Sequence, residues 1–293
     1  MSLNRAVRYG WSGLMAAAMV TLLAAPAAAQ EPTDPNPGNV TVTVGMDFLN
    51  QYMFRGIRQN STEIAMWPAA DLGLAFYSGD GGLKSAGVNF GTWNSLHTGD
   101  TGSDNPTNGK LWYESDFYAS LNLAFGGGVG LGTTYTAYTS PNNLFTTVKE
   151  FAFKLGADDT TYLGRAALKP YALFAFEFDA EEGRGQADGG LEAGKYLELG
   201  IAPGYTGSAA SVTFPLKVGL SLGDYYELDG VDNKFGFFSI GGLVTVPLGG
   251  TTSFGAWSAR GGVEYQHLGD TTASLNGDED NQMIYSFGIG FTY

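Results

Sequence analysis

The fold class this sequence predicts is all-β: a transmembrane antiparallel up-and-down β-barrel of about 12 strands, following a cleaved signal peptide. Three observations predict it. Apolar and polar residues alternate with period two in segment after segment. The connections between those segments alternate long and short. The composition is rich in glycine and aromatics and poor in charge, with 44 Gly, 19 Phe, 16 Tyr and 5 Trp in 293 residues and 15% charged residues. A mean hydropathy of −0.06 is far too low for a bundle of membrane helices, and 14% aromatics argue against disorder.

The same arithmetic excludes several kinds of chemistry. A formal charge of −14 leaves no basic footprint for nucleic acid. With no cysteine there is no disulfide, thiolate nucleophile, cysteine-anchored zinc or lipidated N-terminal cysteine. His97 and His267 are the 2 histidines, too few for a multi-histidine metal centre, so neither a metal nor a cofactor is expected.

The elements follow in order. Arg5 and Arg8, the apolar run Gly13 to Ala25 and then Ala27-Ala28-Ala29 form the charged, apolar and small-residue regions of a signal peptide over 1–29. A retained anchor would need about 20 apolar residues. Residues 30–39 carry Pro32, Pro35 and Pro37 and form a proline-rich periplasmic lead-in. The barrel occupies 40–293. Its first strand alternates Val40, Val42, Val44, Met46 and Phe48 with Thr41, Thr43, Gly45 and Asp47. The second sets Ile64, Met66, Ala70, Leu72, Leu74 and Phe76 against Glu63, Ala65, Asp71 and Gly73. Segments near 83–94 and 111–123 follow, the latter with Leu111, Tyr113, Phe117, Ala119 and Leu121 on its apolar phase. Further segments lie near 128–139, 145–157, 167–178, 194–205, 211–223, 235–248 and 252–267. The last strand runs Met283, Tyr285, Phe287, Ile289, Phe291, Tyr293. Most of these segments exceed the ~5–6 residues of soluble sheets and approach what a tilted strand needs to cross a bilayer.

Connections leaving odd-numbered strands are long and polar (55–62, 95–109, 140–144, 179–193, 224–234, 269–281), and those leaving even-numbered strands are mostly short. That asymmetry puts both termini and the short turns in the periplasm of a bacterial outer membrane, whereas a soluble sandwich has no reason for it. Tyr52, Phe54, Phe76, Tyr77, Trp93, Tyr205 and Tyr265 near strand ends are expected at the interface girdles. Outer-membrane lipids and lipopolysaccharide are the expected surroundings; no oligomeric state follows from the pattern.

Two features carry a resemblance. Phe287, Ile289, Phe291 and Tyr293, ending the chain on an aromatic, resemble the C-terminal signal read by the outer-membrane assembly machinery. Tyr52-Met53-Phe54-Arg55-Gly56-Ile57, followed by Gln59, resembles the Y-x-F-R-G stretch of the TorF-type family of outer-membrane porins, and Gly91-Thr92-Trp93 is similar to that family's pattern. The resemblance covers 40–95 well and is diffuse beyond, and it implies a porin. From the residues themselves, Gly56 permits a positive-φ turn, and Arg55 is expected to reach back to a lumen carboxylate such as Asp47.

With the apolar phase facing lipid, the inward phase carries Asp47, Asp71, Glu114, Asp116, Glu150, Glu177, Glu198 and Glu264 against Lys154, Lys169, Lys217 and Arg260. An acid-rich, narrow lumen is expected to pass ions or small solutes with a weak cation preference if open, or to be filled by paired charges in a non-conducting structural or adhesive barrel. Acidic stretches 229–233 and 276–281 lack the spacing of a calcium loop and read as turns. Catalysis is the weakest alternative. Val263 to Gly269 faintly resembles the histidine-bearing strand of lipid A deacylases, but Gly269 stands where the nucleophilic serine belongs, and Ser274 lies in a loop.

Overall fold

The computed structural model describes residues 38–60, 62–99, 101, 111–178, 192–207, 209–250, 252 and 254–293. The signal peptide, most of the lead-in and the acidic stretch 179–191 lie outside the described residues. Twelve strands form the wall: β1 (Val40–Leu49), β2 (Ala65–Ser78), β3 (Leu83–His97), β4 (Trp112–Phe125), β5 (Val129–Thr139), β6 (Val148–Ala157), β7 (Tyr171–Phe178), β8 (Lys195–Ile201 and Gly204–Thr206), β9 (Ser211–Thr213 and Leu216–Gly223), β10 (Phe235–Pro247), β11 (Ala256–Leu268) and β12 (Asn281–Thr292). Each pairs antiparallel with its sequence neighbours. β1 pairs with β12 as well, Val44 opposite Phe291 and Phe48 opposite Phe287, which closes the barrel. Among the described residues every strand of the wall has a neighbour on both sides, the condition for a strand fold to stand in hydrocarbon.

Alternation sets the two faces as expected. Phe117, Leu121, Leu155, Trp257, Val263, Tyr285 and Phe287 are exposed on the outside, whereas Glu114, Asp116, Glu150, Lys154, Glu177, Glu198 and Arg260 are buried inside. Phe76, Tyr77 and Tyr205 lie exposed near strand ends, where girdle aromatics belong. Tyr52, Phe54 and Trp93 do not: they are buried in an aromatic core inside the long-loop end of the barrel.

Four local departures from the alternation have identifiable causes. The register shifts between Ser95 and Leu96 opposite Trp112–Glu114, so Tyr113 turns into the core and Trp112 turns out; a bulge inverts the face of the residues beside it. Pro203 and Pro215 interrupt β8 and β9, because neither can donate to the ladder. Phe214 N–H donates to Pro203 O (2.8 Å) and Gly241 N–H to Pro215 O (2.9 Å) across the gap. β11 begins at Ala256 rather than 252, after a Thr252–Gly255 bridge.

The fourth departure corrects a site residue. The connection after β6 holds a short helix, α1 (Thr160–Leu163), and a 3-10 turn (Gly164–Ala166), and β7 starts only at Tyr171. Lys169 therefore lies exposed in this turn with φ +50°, not in the lumen. Pro170 has no N–H for a ladder, and the Asp159 carboxylate accepts the backbone N–H groups of Lys169 (2.9 Å) and Leu168 (3.1 Å) instead. The Lys169 amide is the largest cause holding the Asp159 carboxyl below its ordinary range. An ionised Asp159 thus stabilises the turn at pH above the ordinary carboxylate value, and that contribution is lost as pH falls through its lowered value. Asp159→Asn should lower the thermal midpoint near neutral pH, with the difference from wild type shrinking at acid pH; an equal loss at both would contradict the assignment.

Candidate functional site: a lumen closed by its first loop

The connection from β1 to β2 turns into the barrel as a miniature hairpin, Met53–Phe54 pairing with Ile57–Arg58. Arg55 and Gly56 form its two-residue turn with φ of +46° and +88°. Two consecutive positive φ angles are what such a tight hairpin turn demands, which explains the glycine and places Arg55 in a costly left-handed conformation. The hairpin backbone is held by side chains of other loops. Tyr226 OH donates to Arg55 O (2.8 Å), Asn276 Nδ2 to Gly56 O (2.8 Å), and Arg58 N–H to Asn276 Oδ1 (2.8 Å). Asn276 follows the short helix α2 (Asp270–Leu275) between β11 and β12. It lies in the turn expected at 276–281, and its fully buried amide serves the hairpin as a short third strand would.

Arg55 anchors the tip. Its Nη1 and Nη2 donate to Glu150 Oε2 (2.7 Å) and Oε1 (2.9 Å) in a bidentate pair, and Nη1 also donates to Tyr225 OH (2.7 Å). The guanidinium lies 4.2 Å from the Tyr196 ring centroid, and the side chains of Arg55 and Glu150 are only 1% and 2% exposed. Tyr138 OH donates to the same Glu150 oxygen as Nη2, at 3.1 Å. The expected partner, Asp47, is taken instead by Arg260 through two 2.6 Å bonds. Sequence distance explains the miss. Asp47 is near in the chain, but it lies on β1 beside β12 and β11, while the inward turn carries Arg55 across to β6.

Next to the hairpin, Tyr52 meets Trp67 and Trp93 edge-on (centroids 5.2 and 5.4 Å) and donates from its OH to Glu114 (2.9 Å). His97 stacks on Tyr113 at 4.6 Å and shares a 2.9 Å hydrogen bond with Ser95, whose Oγ also accepts Trp67 Nε1–H (3.1 Å). The stacking of Tyr113 on His97 has no signal in the sequence, because only the bulge turns Tyr113 inward.

Around the hairpin and along the strands below it, the inner wall is polar. Lys217 pairs with Glu264 (3.3 Å), which also accepts from Ser239 (2.6 Å) and Gln266 (2.9 Å). Glu198 accepts from Tyr171 (2.7 Å) and Tyr196 (2.8 Å), and Lys154 stands 4.0 Å from the Tyr171 ring centroid. Asp71 accepts from Tyr118 (2.7 Å) and Asn89 (2.6 Å), and Glu177 from the Gly194 amide (3.0 Å). All eight expected acids thus lie inside; of the expected bases Lys154, Lys217 and Arg260 do too, Lys169 does not, and Arg55 joins them as a lumen cation among the described residues. The bases stand on β6, β9 and β11 and on the hairpin. Asp71, on β2, and Glu114, on β4, are held by hydroxyl and amide partners, and Asp116 beside Glu114 is buried with its Oδ1 lacking a hydrogen-bond partner.

His267 points outward and is exposed, with Nδ1 3.1 Å from Asn281 Oδ1, and the Gly269 N–H donates to Gly236 O (2.7 Å). Among the described residues the His267 side chain's hydrogen-bond partner is the Asn281 amide, not a serine. Among the described residues no group of three His, Cys, Asp or Glu side chains is placed to hold a metal ion.

A closed twelve-stranded sheet with an apolar exterior and a charged interior defines a transmembrane β-barrel. Solved structures share this fold. The COG4313 outer membrane channel from Pseudomonas putida F1 superposes with a TM-score of 0.50 at 13% identity, over 90% of this chain and 100% of that one. The translocator domain of the autotransporter NalP from Neisseria meningitidis (TM-score 0.43, 12% identity, 89% of this chain and 90% of that one) and the NanC porin (TM-score 0.41, 12% identity, 85% and 98%) are also similar. Neither a protein-family profile nor a curated protein sequence matches the chain.

Breaking a buried ion pair by removing one partner costs about 3–5 kcal/mol, because the survivor stays buried and unpaired. Glu150→Ala should therefore lower the denaturant midpoint of the refolded barrel far more than Glu279→Ala, whose pair with Arg58 (3.1 Å) has a carboxylate 58% exposed. Equal midpoint losses would show that Arg55 does not anchor the hairpin.

Proposed function

We propose that the chain is a bacterial outer-membrane barrel for passive passage of ions or small solutes, weakly cation-preferring, with the first-loop hairpin as its constriction. The observation that carries this reading is the lumen's charge arrangement. A barrel selected only for stability gains little from burying eight acids and four bases, since apolar packing of similar volume is often as stable or more so. Arg55, Lys217 and Arg260 each pair with a lumen carboxylate, whereas Asp71, Glu114 and Asp116 on β2 and β4 have no ion-pair partner among the described residues, which supports a weak cation preference. The residues that resemble the TorF-type porins, Tyr52 to Gln59, are those of the constriction, which supports placing the chain with that family. Termini in the periplasm, lipid and lipopolysaccharide around the wall, and insertion by the outer-membrane assembly machinery through β12 belong to the same proposal; the outward Phe287, Ile289 and Phe291 support the last.

A second reading, a non-conducting structural or adhesive barrel, is favoured by the packing of Tyr52, Phe54, Tyr225 and Tyr226 across the long-loop end. Planar-bilayer recording of the refolded protein separates the two. Discrete current steps with a cation-selective reversal potential in a salt gradient are expected, and Asp71→Asn/Asp116→Asn should move that potential towards zero. A reversal potential at zero or on the anion side would overturn the preference. Silence from both wild type and Arg55→Ala, with the barrel still folded, would favour the structural reading.

A further inference from the structure

Around the Arg55 guanidinium the lumen wall supplies what a receptor for that group needs. Glu150 offers both carboxylate oxygens in the plane of the fork, Tyr225 OH accepts a further N–H, and the Tyr196 face lies 4.2 Å from the guanidinium carbon. Tyr138 fixes the carboxylate by donating to Oε1. Bidentate pairing and stacking on an aromatic face select a planar guanidinium over an ammonium. The seat engages only the terminal nitrogens. Arg55 Nε is buried without a hydrogen-bond partner, so the contacts stop short of the side chain's stem.

We infer that the Glu150–Tyr196–Tyr225 seat is a guanidinium-binding site, occupied in the closed state by the protein's own Arg55, and that solutes bearing a guanidinium group on an alkyl stem compete for it and release the hairpin. Any such solute presents the two terminal nitrogens that Arg55 presents. The acids of β2, β4 and β6 raise the local concentration of cations in the lumen. The tethered Arg55 acts at an effective concentration in roughly the millimolar range or above, so the free solute must exceed that to displace it. The inference rests on the pore reading for its consequence, solute-triggered opening, but the site itself is defined by contacts alone.

The experiment uses the full barrel refolded in detergent, with methylguanidinium as probe and equimolar sodium as control. Ile57, 3% exposed on the hairpin, is replaced by cysteine in this cysteine-free chain, and its maleimide labelling reports hairpin release without reference to current. Methylguanidinium is expected to speed labelling at least about tenfold over sodium, as competition for a charge-assisted pair requires. The midpoint of Arg55→Ala is expected to rise saturably with methylguanidinium, and that of Arg55→Ala/Glu150→Gln to stay level. If Arg55→Ala does not fold, Arg55→Lys replaces it: its ammonium cannot make the fork, so labelling should respond at lower probe concentration than in wild type. Equal effects of methylguanidinium and sodium in both measurements overturn the site. Labelling that responds in a barrel giving no current keeps the site and overturns the pore reading; current gated without a labelling response does the reverse.

Discussion

A strand in hydrocarbon must find a partner for every backbone N–H and C=O, and the structure depends on that requirement. It makes β12 return to β1 and thereby defines an inside and an outside for every residue of the wall. Once closed, the wall fixes a lumen whose volume must be filled by side chains, water or a loop. The first loop takes the long-loop end because its backbone is satisfied there by Tyr226 and Asn276 and its one cation by Glu150. A hairpin without those partners would carry unpaired polar groups into a buried space, at several kcal/mol in total.

Glycine on the inner wall makes room for the large polar side chains. Tyr118 lies across Gly91, its register partner on β3, and Tyr171 across Gly200 on β8; a Cβ at either glycine would overlap the ring. An aromatic covering a cross-strand glycine shields the bare backbone and directs its own hydroxyl along the wall. Tyr118 thereby reaches Asp71, and Tyr171 reaches Glu198. Asp47 and Arg260 likewise lie flat over Gly288 and Gly45. These charged side chains therefore lie along the wall instead of projecting into the centre.

Much of the fold was legible because a membrane strand repeats one rule. Each residue faces lipid or lumen, so Val40 to Phe48 and Met283 to Tyr293 declare their faces by alternation alone, and the inward acids followed from the same phase. The errors fell where the rule is suspended. Period two alone puts Tyr113 on the lipid face, because a bulge leaves no period-two trace, and puts Lys169 in the lumen, because the pattern does not show that Pro170 delays β7; Tyr52, Phe54 and Trp93 fit a girdle on sequence because aromatics suit a membrane interface and a packed core equally well.

By itself the sequence determined the barrel, its strand order and the sign of its lumen, because period, connection length and residue charge are local properties that survive without coordinates. Tertiary structure alone decided which acid meets which base and that the first loop turns inward. Arg55 and Glu150 are 95 residues apart and join across the lumen, and Asn276 joins the hairpin from a loop 220 residues beyond Gly56. Such contacts are set by barrel closure and loop direction, and neither leaves a mark in the spacing of residues along the chain.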